Sequence, residues 1–259
     1  CLGTFNVSTT AAFVVAGAGV KVAKHGNRAA SSLCGSADVM EALGICIDLR
    51  PAEVAACLDR VGIGFMLASL HHPATGRVAA VRRALGVRTV FNFLGPLTNP
   101  AGVRRQLMGV CSPAYLGALA GALSRVGCER ALVVSGYNGM DELSVAGPSQ
   151  VVEVSRGVVG EPRTIRPEDY GLSLHEQAAV AGGDCEQNAA ITRRVLGGEA
   201  GACRDVVLLN AAAALFVAGV VASISDGMRR AAESIDSGRA AETLDHMVAV
   251  TNELAACRV

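Results

Sequence analysis

Residues 206–225 contain no charged side chain. A stretch that apolar has to be hidden, either in a bilayer or in the core of a large domain. Asn210, Ser223 and Ser225 interrupt it, and alanine dominates its centre. Those features predict a helix buried on all sides in a soluble core. A chain of 259 residues with 51% hydrophobic side chains can build such a core and excludes intrinsic disorder. The other uncharged stretch, Cys1 to Val20, carries Thr4, Asn6, Ser8, Thr9 and Thr10 and no basic leader, so it does not read as a signal peptide.

Around the buried segment, short apolar runs alternate with helical patterns. Asn6-Val-Ser-Thr-Thr10 followed by an apolar run predicts a helix with hydroxyl caps. Val20 to Ala23 reads as a short strand ending in a polar turn, Lys24-His-Gly-Asn-Arg28. Helices are predicted over Ser36–Leu43, Pro51–Val61, His72–Leu85 and Pro113–Val126. Strands are predicted over Ile63–Ala68, Gln106–Val110 and Ala131–Ser135. Two prolines and an Asn-Pro make Phe91–Gly102 a predicted loop. Val151–Val154 and Val158–Val159 suggest an antiparallel excursion, and three or four helices follow from Cys185 to Ala256. The expectation is an α/β fold with a mostly parallel sheet flanked by helices. One domain spans 1–259, with about 69–92 contributing to a small helical lobe.

Charge and composition narrow the function. Lys+Arg 23 balances Asp+Glu 23, aromatics are 3% and Trp is absent. Nucleic-acid binding rests on surplus cations and stacking rings, so it is disfavoured. The nine cysteines are odd in number and show no CxxC spacing, which predicts reduced, small apolar residues. The chain opens on Cys rather than Met, and is expected to be a processed or excised part of a longer protein.

Four polar clusters could carry chemistry. Thr4 to Thr10 sets hydroxyls and an amide at a helix N-terminus, which suits an anion. Lys24-His-Gly-Asn-Arg28 with Ser31, Ser32 and Ser36 lies between a strand and a helix, where open α/β sheets bind ligands, and would suit a phosphorylated sugar. Asp141-Glu142 follows a glycine-rich turn, and adjacent carboxylates suit magnesium. Arg82-Arg83, with Arg88 and Arg104-Arg105, offers a fork for a carboxylate. Each cluster also has a bland reading: a helix cap, a solvated turn, surface acids, exposed arginines. No GxSxG elbow and no GxxxxGK[ST] loop occurs.

The strings KHGNRAASS, GSADVMEALG, GIGFMLASLHHPA and VRRALGVRTVFNFLGPLTNPA, with DELS at 141–144, GGDCEQNA and RDVVLLNAAAALFVAG, resemble the anthranilate phosphoribosyltransferase family over nearly the whole chain. That resemblance implies a small helical lobe against a large α/β lobe, with the substrate cleft between. It implies transfer of the 5-phosphoribosyl group of phosphoribosyl pyrophosphate to the amine of anthranilate, in tryptophan biosynthesis. The family carries further helices and a Gly-Thr-Gly-Gly-Asp loop ahead of the position of Cys1, so these 259 residues alone are expected to be poorly active.

Carried over residue by residue, the resemblance implies donor binding by Thr4, Asn6, Val7, Ser8 and Thr9, by Lys24, His25, Gly26, Asn27, Arg28, Ala29, Ala30, Ser31 and Ser32, and by Ser36. Asn27 and Arg82 would orient anthranilate; Ser8, Asp141 and Glu142 would hold two magnesium ions. No residue is expected to form a covalent intermediate. A homodimer and a cytoplasmic location are implied, with no nucleic-acid or membrane partner. The competing expectations are a pyrimidine nucleoside phosphorylase and a non-catalytic nucleic-acid-binding relative of the same fold.

Overall fold

The computed structural model describes residues 3–29, 33–72 and 91–258. Helix α1 (Val7–Gly17) leads to strand β1 (Val22–Gly26), helices α2 (Ser36–Ala42) and α3 (Pro51–Val61), strand β2 (Ile63–Leu67) and the single turn α4 (Ala68–His71). Helix α5 (Phe91–Leu97) precedes β3 (Arg105–Gly109), α6 (Leu116–Arg125) and β4 (Arg130–Ser135). Strands β5 (Ser149–Ser155), β6 (Val158–Val159) and β7 (Arg163–Ile165) follow. The chain closes with α7 (Cys185–Leu196), α8 (Ala202–Ala218), α9 (Ile224–Asp236) and α10 (Arg239–Ala256).

Strand–helix–strand crossovers make both parallel pairings, Val22↔Ile63 through Gly26↔Leu67 and Arg105↔Arg130 through Gly109↔Val134. The antiparallel pairings all belong to β5, against β4, β6 and β7. The fold is α/β with flanking helices, as expected, and the excursion around β5 supplies its antiparallel part.

The uncharged segment is α8 followed by a turn. Val206 through Ala213 are all buried, and Gly219, at φ +77°, ends the helix. Helix α8 packs on α1 and α9. Helix α1 is itself buried from Thr9 through Ala16 and is fastened to α9 by Ser234 Oγ, which donates to the carbonyl of Val14 at 2.8 Å. Two central helices without a polar face explain why no charge interrupts either segment. No helix among the described residues is long and apolar enough to cross a membrane.

Several expectations are corrected. Lys24, His25 and Gly26 are not a turn: they complete β1. Phe91–Leu97 is helical despite Pro96, because proline in the last turn removes only one helical hydrogen bond. The hydroxyls expected to cap α1, Ser8, Thr9 and Thr10, lie inside it, and Asn6 at its start makes no side-chain capping bond. Cys111 is disulfide-bonded rather than reduced. The helix expected over His72–Leu85 and most of the lobe expected over 69–92 lie outside the described residues.

Candidate active site

The first segment of the site is held by the chain's own backbone. Phe5 N–H donates to the carbonyl of Val180 at 3.2 Å, and Gly182 N–H to that of Gly3 at 2.9 Å. Gly182 allows this approach, since a Cβ there would meet the Phe5 backbone. The short extended run, with a bridge between Thr4 and Ala181, aims the N-terminus of α1 at the cleft. There Asn6 Oδ1 and Thr9 Oγ1 are buried with no hydrogen-bond partner. Val7 is buried in the core, so its side chain contributes packing rather than contact. Thr10 shares a 2.9 Å hydrogen bond with Thr192 and belongs to the scaffold.

The second segment runs off the carboxyl end of β1. Half-buried Lys24 donates from Nζ to Ser8 Oγ at 3.2 Å. Burial lowers its pKa from 10.5 to about 8, against the attraction of Glu142. His25 stacks edge-on to His72 with ring centroids 5.0 Å apart, and its pKa is lowered by burial and by that neighbour. Gly26 leaves room for Ser36 and Phe65, which a Cβ would strike.

Beyond Gly26, Ala29 and Gly35 are both tied to Asp38. Asp38 accepts the N–H of Ala29 at 2.8 Å and that of Gly35 at 2.9 Å, pinning both ends to α2. Ser36 Oγ donates to the Asn27 carbonyl at 3.4 Å. The Arg28 guanidinium lies against Glu41, with one contact at 2.8 Å, and against Asp38 at 3.4 Å. Glu41 and Asp38 raise its pKa further, and these contacts fasten Arg28 to α2. Asn27 is exposed, and its Oδ1 accepts the N–H of Arg28 at 2.9 Å. Asp38 was not a sequence candidate, though an acid three residues after Gly35 at a helix start is a recognisable signal.

The third segment is Asp141-Glu142. It lies on the carboxyl ends of β3 and β4, and glycine makes this possible: a Cβ at Gly109 would collide with the Asp141 carbonyl, and one at Gly136 with that of Glu142. Asn210, in the middle of α8, anchors the segment. Its Oδ1 accepts the N–H of Leu143 at 2.9 Å, and its Nδ2 donates to the Leu143 carbonyl at 2.8 Å. Burial, then neighbouring Asp141, pushes the Glu142 carboxyl well above the ordinary value, while Lys24 opposes the shift. Glu142 Oε2 is buried without a partner.

Lys24 thus links the other two clusters, by its bond to Ser8 and its attraction to Glu142. An orphaned carboxylate oxygen beside a second carboxylate fits a hard divalent cation. No group of three or more His, Cys, Asp or Glu gathers among the described residues. That donor set suits magnesium, which keeps waters and phosphate oxygens for its remaining positions. Ala30, Ser31, Ser32, Arg82, Arg83 and Arg88 lie outside the described residues. Arg104 and Arg105 pair with Glu129 at 3.4 Å at the opposite ends of the strands, away from the cleft.

Comparison with known proteins gives the family. Residues 2–241 match the model of the glycosyl transferase family, a/b domain. A relative from Rubrobacter xylanophilus, an anthranilate phosphoribosyltransferase, is 57% identical over 254 residues, 98% of this chain and 74% of its own length. The chain belongs to the anthranilate phosphoribosyltransferase family. A family member from Symbiobacterium thermophilum is 55% identical over 98% of this chain and 74% of its own. The crystal structure of anthranilate phosphoribosyltransferase from Thermus thermophilus superposes with a TM-score of 0.91 at 47% identity, covering 96% of this chain and 74% of that one. The enzyme from Saccharomyces cerevisiae, solved in complex with PRPP and Mg, superposes with a TM-score of 0.88 at 30% identity, covering 97% and 71%.

Proposed function

We propose that the chain transfers the 5-phosphoribosyl group of phosphoribosyl pyrophosphate to the amine of anthranilate, in tryptophan biosynthesis. The observation that carries this reading is the meeting of Lys24 with Ser8 at 3.2 Å, with Glu142, whose Oε2 is buried without a hydrogen bond, attracting the same ammonium. A family relationship over 98% of the chain supplies the substrates.

The demanding event is cleavage of the C1–O bond, which builds positive charge on the ribose and negative charge on pyrophosphate. Anthranilate's aromatic amine is neutral at pH 7, so no strong base has to activate it. Asn6, Ser8 and Thr9 present polar groups to the pyrophosphate at the positive end of α1. Lys24 places its ammonium beside them, and an arriving polyanion restores the pKa that burial has lowered. Asn27 to Ala29 and Leu33 to Gly35 are the described ends of the loop proposed to hold the phosphoribosyl group, and Asp38 ties Ala29 and Gly35 to α2. Ser8, Asp141 and Glu142 would hold magnesium, with two ions expected, and magnesium bound there would neutralise charge on the leaving pyrophosphate. Asn27 and Arg82 orient anthranilate on the opposite face of the ring carbon, so proximity and inversion replace a covalent nucleophile.

This reading includes a homodimer and a cytoplasmic location, on the resemblance to the family and the chemistry of its soluble substrates. The test follows anthranilate fluorescence with phosphoribosyl pyrophosphate and magnesium, and identifies the product by mass. Consumption with formation of N-(5-phosphoribosyl)anthranilate supports the reading. Phosphorolysis of a pyrimidine nucleoside, without anthranilate consumption, overturns it.

A further inference from the structure

The segment that carries Asp141 and Glu142 is tied, at its far end, to a stretch of chain that holds no substrate group. His175 N–H donates to the carbonyl of Val145 at 2.9 Å. The His175 ring is in turn bonded to Asp205, with Nε2 and Oδ2 2.7 Å apart. Both side chains are mostly withdrawn from solvent, 24% and 23% exposed. Asp205 stands in the first turn of α8, the helix that also carries Asn210. Helix α8 therefore grips the segment twice. It holds Leu143 directly through Asn210, and Val145 through Asp205 and His175. The same stretch reaches the other side of the cleft, because Val180 accepts the Phe5 N–H at 3.2 Å and Ala181 bridges Thr4.

We propose that His175 and Asp205 are positioning residues for the metal carboxylates, acting through the backbone of Val145. The proposal rests on the magnesium role given above to Asp141 and Glu142. A carboxylate oxygen has no proton to give, so the imidazole donates from Nε2. Such a bond is charge-assisted and holds the ring firmly. The ring in turn keeps its own backbone N–H against Val145. Residues 172–176 belong to no helix or strand, so no backbone ladder sets their place. Ser173, Leu174 and Glu176 are exposed. His175 is therefore the inward anchor next to the Val145 contact.

Metal-binding groups work only when held within about 0.5 Å of their productive positions. Removing a group that orients a ligand through one hydrogen bond weakens metal binding about ten- to a hundredfold. His175 acts through the backbone from Val145 to Glu142, and Asn210 still holds Leu143 between them. The loss expected for His175→Ala is therefore smaller, about three- to tenfold. Asp205→Ala should cost the same, because it releases the same ring.

The test titrates the full chain with manganese, a hard cation that takes the same oxygen ligands. Water-proton relaxation reports the protein-bound ion, alone and with phosphoribosyl pyrophosphate. Wild type should bind, and His175→Ala and Asp205→Ala should each weaken binding about three- to tenfold. The double variant should be no worse than either single one, since both cut one link. His175→Gln, whose amide can still donate to Asp205, should recover most of the loss. Arg204→Ala is the structural control: it breaks a 2.8 Å pair with Asp236 beside Asp205 on α8, and should lower the melting temperature without moving manganese affinity. Asp205→Asn, which keeps an acceptor but not the charge, decides if an alanine variant folds poorly, and should weaken binding about twofold. Unchanged affinity in the His175 and Asp205 variants, additive losses in the double variant, or an equal loss in Arg204→Ala would overturn the proposal while leaving the proposed function intact. Wild type that binds no manganese under either condition would remove the metal reading and this inference with it. The expected pattern in a protein that never consumes anthranilate would overturn the proposed function alone.

Discussion

Lys24 Nζ donates to Ser8 Oγ at 3.2 Å, tying the carboxyl end of β1 to the first turn of α1. That one bond joins two polar clusters separated in the chain by an entire buried helix. Glu142 approaches the same ammonium from a third segment, across the strand ends. An ammonium between a hydroxyl and a buried carboxylate keeps the site charged and ordered before any polyanion enters.

Lys24→Met should raise the KM for phosphoribosyl pyrophosphate about ten- to a hundredfold. A charge-assisted contact is worth about 1.5–3 kcal/mol, and methionine keeps most of the stem's volume. The KM for anthranilate should change much less. Initial rates with each substrate varied in turn will show it; equal effects on both constants would place Lys24 outside the donor site.

Glu142 gives a pH signature. Its folded pKa lies above the ordinary 4.5 because of burial and Asp141. Its stabilising contribution is therefore complete below 4.5 and is lost as pH rises through the folded value. In chelator, Glu142→Gln should melt above wild type at pH 8, by about 2–4 °C for each kcal/mol of relief, with the two curves converging near pH 4.5. Adding magnesium should stabilise wild type and leave the variant unmoved. Thermal melts across pH with and without magnesium test this.

Gly109→Ala should damage the metal site from beneath. The new Cβ would collide with the Asp141 carbonyl, so the 141–144 segment must shift or strain at a cost of about 1–3 kcal/mol. Activity should fall more than tenfold and the magnesium requirement should rise. A variant with wild-type magnesium titration would mean that the segment moves freely without consequence.

Asn210→Leu removes the anchor of the same segment. Leu143 would lose partners for its N–H and its carbonyl, each worth about 1–3 kcal/mol when buried and unsatisfied. Urea unfolding should show a lower midpoint. Asn210→Asp restores the acceptor alone, and should recover only part of the loss.

Arg82→Ala should raise the KM for anthranilate about ten- to a hundredfold and that for the donor much less, if Arg82 grips the carboxylate bidentately. Arg83→Ala should change either constant by less than about threefold. Equal effects from the two would reassign the contact.

Much of this was readable in the chain because chemistry restricts residue types. A polyanion with magnesium needs hydroxyls, a cation and adjacent carboxylates, and Ser8, Lys24 and Asp141-Glu142 stood out for that reason. The uncharged run at 206–225 likewise announced a central helix. Which clusters meet was not readable, since it depends on the crossover that sets β1 beside β2 and on glycines at 109 and 136 that let backbones touch. Lys24 and His25 looked like a turn because charged side chains are uncommon in a parallel strand, yet here the strand's end faces a cleft rather than the core. Asn210 gave no signal, as a lone amide in an apolar helix shows its partner only in three dimensions. For Arg28 the charge was readable, but its ion pairs with Glu41 and Asp38 were not, since they depend on how the loop folds back on α2.

The most direct test of the site is the magnesium dependence of anthranilate consumption, measured side by side for wild type and Glu142→Gln. Saturating phosphoribosyl pyrophosphate, a magnesium titration and an excess-chelator control complete the measurement. The account predicts wild-type turnover that vanishes in chelator and returns with magnesium, and a variant slowed at least a hundredfold at saturating metal. Undiminished wild-type turnover in excess chelator, or a variant that matches wild type at every magnesium concentration, would contradict it.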